Sequence, residues 1–110
     1  MVEVSVKSNA EKVKRDVYEA LNRGLERASN IWDDGTKMLT PVRTGTLRKG
    51  WQSFVNGKEH YVILGNIEKY APCVELGSPT NKAVHMLRDG ILKRKDDIRK
   101  AMAAEFYSTL

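Results

Sequence analysis

Cysteine is nearly absent: Cys73 stands alone in 110 residues. A single thiol cannot close an intramolecular disulfide, so the fold must hold by packing, and a reducing compartment is expected. Long apolar runs are missing too. None approaches the roughly 20 residues that span a bilayer, so no membrane association is expected. Histidine is scarce: His60 and His85 lie 25 positions apart, neither at metal-ligand spacing from a carboxylate or from Cys73, which argues against a metal site. The glycine patterns that cradle phosphates are absent. Thr44-Gly45-Thr46 is a fragment of such a loop without its other Gly and Lys positions. There is no internal repeat and no low-complexity segment. No large excess of one charge stands out: 19 Lys and Arg face 14 Asp and Glu, for a formal charge of +5. The signs interleave, as in Lys93-Arg94-Lys95-Asp96-Asp97-Ile98-Arg99-Lys100. That is the pattern of solvated helix faces, where a nucleic-acid binder would segregate its basic residues. No cofactor and no metal are expected.

What is present suits one globular domain over residues 1–110. Apolar residues make up 41% and charged residues 30%, and a chain of this length buries roughly two-thirds of its unfolded surface, enough for one core. The opening Met-Val-Glu-Val-Ser-Val-Lys alternates and has no signal-peptide apolar core, so synthesis in the cytosol is expected. Val2, Val4 and Val6 on one face predict a short edge strand over 2–6. Ser8 and Glu11 have capping-box spacing. Ala10, Val13, Val17, Leu21, Gly24, Ala28, Ile31, Gly35 and Met38 then recur every three or four residues, which predicts a long helix over 8–39. Gly24 and Gly35 each cost about 1 kcal/mol against alanine inside a helix. Their place on the apolar stripe predicts close approach of another element or, at Asp33-Asp34-Gly35, a bend.

Pro41 stops or kinks that helix. Residues 50–65 predict a hairpin. Trp51, Ser53 and Val55 alternate with Gln52, Phe54 and Asn56, and Asn56-Gly57 is a turn signal before a return strand from His60 to Gly65. A short helix is expected over 70–77, with Pro72 in its first turn and Gly77 closing it. A second long helix is expected over 83–107, on the stripe of Val84, Leu87, Ile91, Ile98, Ala101, Met102 and Phe106, weakened by Gly90 and Arg94. The fold class is α+β: a small antiparallel sheet with two long helices and a short connecting helix.

Groups that could do chemistry are few. Cys73, early in a helix, could be a nucleophile or, between Pro72 and Val74, a buried structural thiol. Glu75, the one acid in an apolar stretch, could be a general base, a salt-bridge partner or a backbone cap. Asp33-Asp34 and Asp96-Asp97 are neighbours that point about 100° apart on a helix, so neither makes a carboxylate dyad by itself. No catalytic residue is assigned and enzyme activity is not expected.

Two segments carry a pattern together. Pro41-Val42-Arg43-Thr44-Gly45-Thr46-Leu47-Arg48 resembles a P-x-x-T-G-x-L-R signature that follows a long N-terminal helix. Tyr70-Ala71-Pro72-Cys73-Val74-Glu75-Leu76-Gly77-Ser78 resembles Y-A-x-x-V-E-x-G-T. They stand in order between two helices, with His85-Met86-Leu87 leading into the last one. From about Ser8 to its C-terminus the chain therefore resembles the tailed-bacteriophage neck or minor tail-component family, small head–tail joining proteins of phages and prophages. Arg43, Ser78, His85-Met86-Leu87 and Asp89-Gly90 depart from the usual pattern and bear on the subfamily.

The resemblance implies a structural subunit of the head–tail junction, a neck or tail-completion component. It implies self-association into a ring around the DNA path, contact with head-closure and tail proteins, and transient, non-specific passage of DNA. It implies residence in the virion after assembly in the host bacterial cytoplasm. It marks Pro41, Thr44, Gly45, Leu47, Arg48, Tyr70, Ala71, Glu75 and Gly77 as turn-forming and packing residues. A short edge strand and a hairpin would offer unpaired backbone groups to neighbours. The residues also leave open a small basic DNA-binding regulatory protein acting through one long helix, with affinity that falls steeply with salt. A hydrolase using Cys73 or Glu75 with His60 or His85 is the remaining alternative.

Overall fold

Small and apolar residues at helical spacing produce one unbroken helix, α1 (Val2–Leu39). The computed structural model describes residues 2–42 and 45–109, with side chains over 9–42 and 45–108. At 1.5 Å per residue α1 runs about 57 Å, and it sets the long dimension of a molecule measuring 71 × 23 × 22 Å. The edge strand expected over 2–6 is not formed, because that stretch is the first part of α1. A strand needs a neighbour to satisfy its backbone groups, and the sheet has two strands, neither of them from this stretch. A helix bonds internally, and valine costs it only a fraction of a kcal/mol per residue. The helix also runs through Ser8, so the capping box does not open it; the Ser8 side chain lies outside the described residues.

The remaining elements are α2 (Thr46–Lys49), β1 (Trp51–Asn56), β2 (Tyr61–Asn66), α3 (Ala71–Leu76), α4 (Met86–Leu92) and α5 (Lys95–Thr109). The class is α+β, as expected. β1 and β2 pair antiparallel from Trp51↔Asn66 to Asn56↔Tyr61. Their connection is a four-residue loop over 57–60 in place of a two-residue turn. The Asn56 side chain nucleates it: Oδ1 accepts from the amides of Lys58 at 3.0 Å and Glu59 at 2.9 Å, while the His60 amide donates to the Asn56 carbonyl at 2.8 Å. The positive φ therefore falls on His60, at 62°, and the return strand starts one residue later than the sequence suggests.

The second long helix is two helices, and its first turn is absent. Residues 83–85 lie outside the helix: the Val84 amide donates to the Val74 carbonyl at 2.8 Å and the His85 amide to the Glu75 carbonyl at 3.2 Å, and His85 turns the chain into α4 at φ 56°. α5 runs antiparallel along α1. Met102 lies on Gly24, Arg27 Nη1 donates to the Ala101 carbonyl at 3.3 Å, and Glu105 pairs with Arg23 at 3.1 Å and Arg27 at 3.3 Å. A straight continuation backwards from Met102 would carry Leu87 to the level of Leu39. Instead the turn at Lys93 and Arg94 swings α4 across α1, so that Trp32 Nε1 donates to the Leu87 carbonyl at 3.0 Å.

That crossing explains the glycines of the stripe as close approach, with no bend at 33–35. A Cβ on Gly35 would lie 2.9 Å from the Gly90 carbonyl oxygen, and one on Gly90 would lie 2.5 Å from Thr36 Oγ1 and 3.0 Å from the Thr36 backbone. Gly24 is looser, with Met102 atoms at 3.4 Å. Gly90→Ala should therefore lose about 1–2 kcal/mol net, because overpacking outweighs the gain in helix propensity. Gly24→Ala should be neutral or stabilising by up to about 1 kcal/mol. Thermal melts of the two variants check the contrast; equal gains would show that propensity, not packing, decides at Gly90.

Candidate functional site

The core is Leu47, Trp51, Leu64, Ala71 and Met86, with Trp32, Val74 and Leu87 packed against it. Both motif segments converge on it. In the first, Pro41 follows the end of α1 and is exposed, and Thr44 lies outside the described residues. Gly45 sits at φ 82° and opens α2 as its N-terminal flanking residue, with its carbonyl accepting from the Lys49 amide at 3.0 Å. This points Leu47 into the core and leaves Arg48 on the surface. Arg48 lies in the last turn of α2.

In the second segment Tyr70 flanks α3 and is exposed, while Ala71 is buried beside Leu47. Glu75 resolves to the last of its three readings, a backbone cap: its carboxylate oxygens accept from the amides of Leu87 at 2.9 Å and Arg88 at 3.2 Å. These are orphan donors in the first turn of α4, whose own flanking residue, His85, makes no side-chain cap. Gly77, at φ 85° and ψ 169°, turns the chain out of α3, and its amide closes on the Cys73 carbonyl at 2.9 Å.

Cys73 is exposed, not a buried thiol. With Ala71 turned inward, a residue two positions on lies about 200° around the helix. His60 sits at the far end of the hairpin from α3, roughly 20 Å away along six-residue strands at about 3.3 Å per residue. There its ring stacks on Tyr18 at 5.2 Å and Nδ1 lies 3.3 Å from Asn22 Oδ1. His60 therefore shares no site with Cys73 or Glu75. Among the described residues no group of three or more His, Cys, Asp or Glu side chains could hold a metal ion.

Some structural residues escaped the sequence pattern. Trp51 Nε1 donates to Thr40 Oγ1 at 2.8 Å, and that hydroxyl donates to the Thr36 carbonyl at 2.7 Å, tying the hairpin to the end of α1. Asn66 Nδ2 donates to the Leu47 carbonyl at 2.8 Å while its Oδ1 accepts from the Glu68 amide at 2.9 Å. The Trp51–Thr40 and Asn66–Leu47 pairs lie 11 and 19 residues apart and left no local signal.

Large apolar side chains stand exposed around these elements. A cleft of about 250 Å³ is lined by Trp51, Asn66, Ala71, Pro72, Leu76 and Leu87, and by the already bonded Glu75. Leu76 is 74% exposed beside it. On the outward face of the hairpin Phe54 stands opposite Ile63, and both are more than half exposed, as is Ile67. Phe54 shares its register with Gln52 and Asn56, which is the signal that could have found this face from sequence. No described helix is long and apolar enough to cross a membrane.

A model of the family described as "Bacteriophage HK97-gp10, putative tail-component" matches residues 5–77, a span that includes the first motif segment and the second as far as Gly77. No match was found among curated proteins or among solved structures.

Proposed function

The chain belongs to the bacteriophage HK97-gp10-like family of tail components, and from that premise we propose that it is a structural subunit of the head–tail junction, assembling as a ring around the DNA path. The observation that carries this reading is how the motif residues are used. Leu47 and Ala71 fill the core, Gly45 and Gly77 turn the chain, and Glu75 caps α4. They build a rigid body whose outer surface keeps large apolar side chains without intramolecular cover, among them Phe54, Ile63, Ile67 and Leu76. Exposed apolar patches of this kind mark protein contact sites. Its partners would be further copies, head-closure proteins and tail proteins. A modest charge of +5 suits passing, non-specific contact with DNA. A structural role is favoured over a catalytic one, because Glu75 accepts from two backbone amides and His60 is remote from Cys73.

The test is deletion of the coding sequence from the phage or prophage that carries it. Filled heads and separate, unjoined tails should accumulate, and joined particles should return when the protein is supplied in trans. Normal yields of joined, infectious particles without it would remove the proposal. Binding of duplex DNA that is tight at low salt and falls steeply with added salt would favour the regulatory alternative.

A further inference from the structure

We propose that two uncovered surfaces of the chain are the two halves of one copy-to-copy contact: the N-terminal arm of α1 on one subunit lies across the outer face of the hairpin on the next. This rests on the assembly role proposed above and names the surfaces that carry it.

The arm is the part of α1 that α5 does not reach. Glu105, near the end of α5, pairs with Arg23 and Arg27, and residues 9–15 are all exposed. Val13, 53% exposed, and Val17 fall on the same helical face as Ala20, Gly24 and Ala28. The apolar stripe that α5 covers thus continues along the arm in line with the α1–α5 interface, with Val17 partly covered and Val13 open. The second surface is the outward side of the hairpin. Phe54 and Ile63 face each other across the strands, Tyr61 and Ile67 flank them, and a Cβ on Gly65 would meet nothing within 4 Å. The result is a shallow apolar trough. On its inner side the same hairpin already packs against α1, so a helix on the outer side repeats a packing the chain uses.

The two surfaces cannot meet within one chain. The arm is the direct continuation of the helix beneath the inner face, where Tyr18 stacks on His60 at the hairpin tip. No charge opposes their contact between copies. Over 9–19, Lys12, Lys14 and Arg15 balance Glu11, Asp16 and Glu19, and outward positions 52, 54, 56, 61, 63 and 65 are all uncharged.

The outer face exposes on the order of 400 Å² of apolar side chain, comparable to the apolar part of the roughly 800 Å² each partner contributes to a standard interface. The arm and the hairpin are different surfaces, so one subunit can use both at once. The contact is heterologous, so it propagates until the rotation closes a ring, and closure makes assembly cooperative.

The test uses the full chain with Cys73→Ser, carrying Val13→Cys, Ile63→Cys or both, treated with a short bis-maleimide cross-linker. The expected result is a ladder of covalent oligomers from the double variant, a cross-linked dimer from the two single variants mixed, and no cross-linking of either alone. Both positions are more than half exposed, and unchanged circular dichroism verifies folding. Dimers from Val13→Cys alone would show that arms pair with each other, and dimers from Ile63→Cys alone that hairpins do; either overturns the proposal. So does oligomerisation by light scattering without cross-linking, or a monomer at every concentration. In both of those cases, heads and tails still joined by the same variant in cells would leave the junction role standing.

Discussion

Replacing Gly77 by alanine should lower stability by about 3–4 kcal/mol. Its backbone, at φ 85° and ψ 169°, occupies a region that is essentially glycine's alone, and side chains forced there carry roughly 1–3 kcal/mol of strain. A Cβ would also lie 2.9 Å from the Ala83 amide nitrogen. That atom is backbone and cannot swing aside, so overpacking adds roughly 1–3 kcal/mol. The melting temperature should fall by more than about 10 °C for a domain this size. Gly45 provides the contrast. It too has positive φ, 82°, but lies in the ordinary left-handed region, and the nearest atom to its Cβ position is the mobile Lys49 Cε at 4.0 Å. Gly45→Ala should cost only about 1–2 kcal/mol. Thermal melts of the two variants separate them. A Gly77→Ala protein as stable as Gly45→Ala would mean that the turn out of α3 is not held as described.

Glu75→Ala should cost about 2–3 kcal/mol. Hydrogen bonds to charged groups contribute roughly 1.5–3 kcal/mol each, while loss of a helix cap typically costs about 1 kcal/mol. The lower part of the combined range applies here, because the carboxylate is only partly buried. Two amides of a seven-residue helix lose their acceptor, and α4 carries Met86 into the core and Gly90 to its crossing with α1. Glu75→Gln, which keeps one oxygen acceptor, should recover about half. Urea unfolding measures both. A Glu75→Ala protein with unchanged stability but no capacity to join heads to tails would reassign Glu75 to a contact surface.

The parts of this fold that were legible in the sequence are those fixed by local repetition. The stripe from Ala10 to Met38 specified α1, and the alternation from Trp51 specified β1, because both periods follow directly from backbone geometry. The valines over 2–6 carried a period of two, but a strand also needs a neighbour, and no residue pattern could show that the hairpin would take none. The C-terminal stripe extended through a break because Leu87 must reach Trp32 while Met102 reaches Gly24, a requirement set by α1 and not by residues 83–107 themselves.

The motif residues divide in the same way. Gly45 and Gly77 were legible as turns because only glycine accepts such backbone angles readily. Glu75 stayed open among three roles because its partners lie 12 and 13 residues away. Cys73 came out exposed because the burial of Ala71 fixes which side of α3 faces water. Phe54 and Ile63 were read as strand residues, and only the register, with α1 on the opposite face, shows them turned outward together.

The most direct test of the account is where the protein sits in the particle. Gold labelling of an epitope-tagged copy on purified virions, viewed by electron microscopy, should place the label at the single vertex where tail meets head. Joined, infectious particles that carry no label, from cells that express the tagged protein as their only copy, would contradict the account.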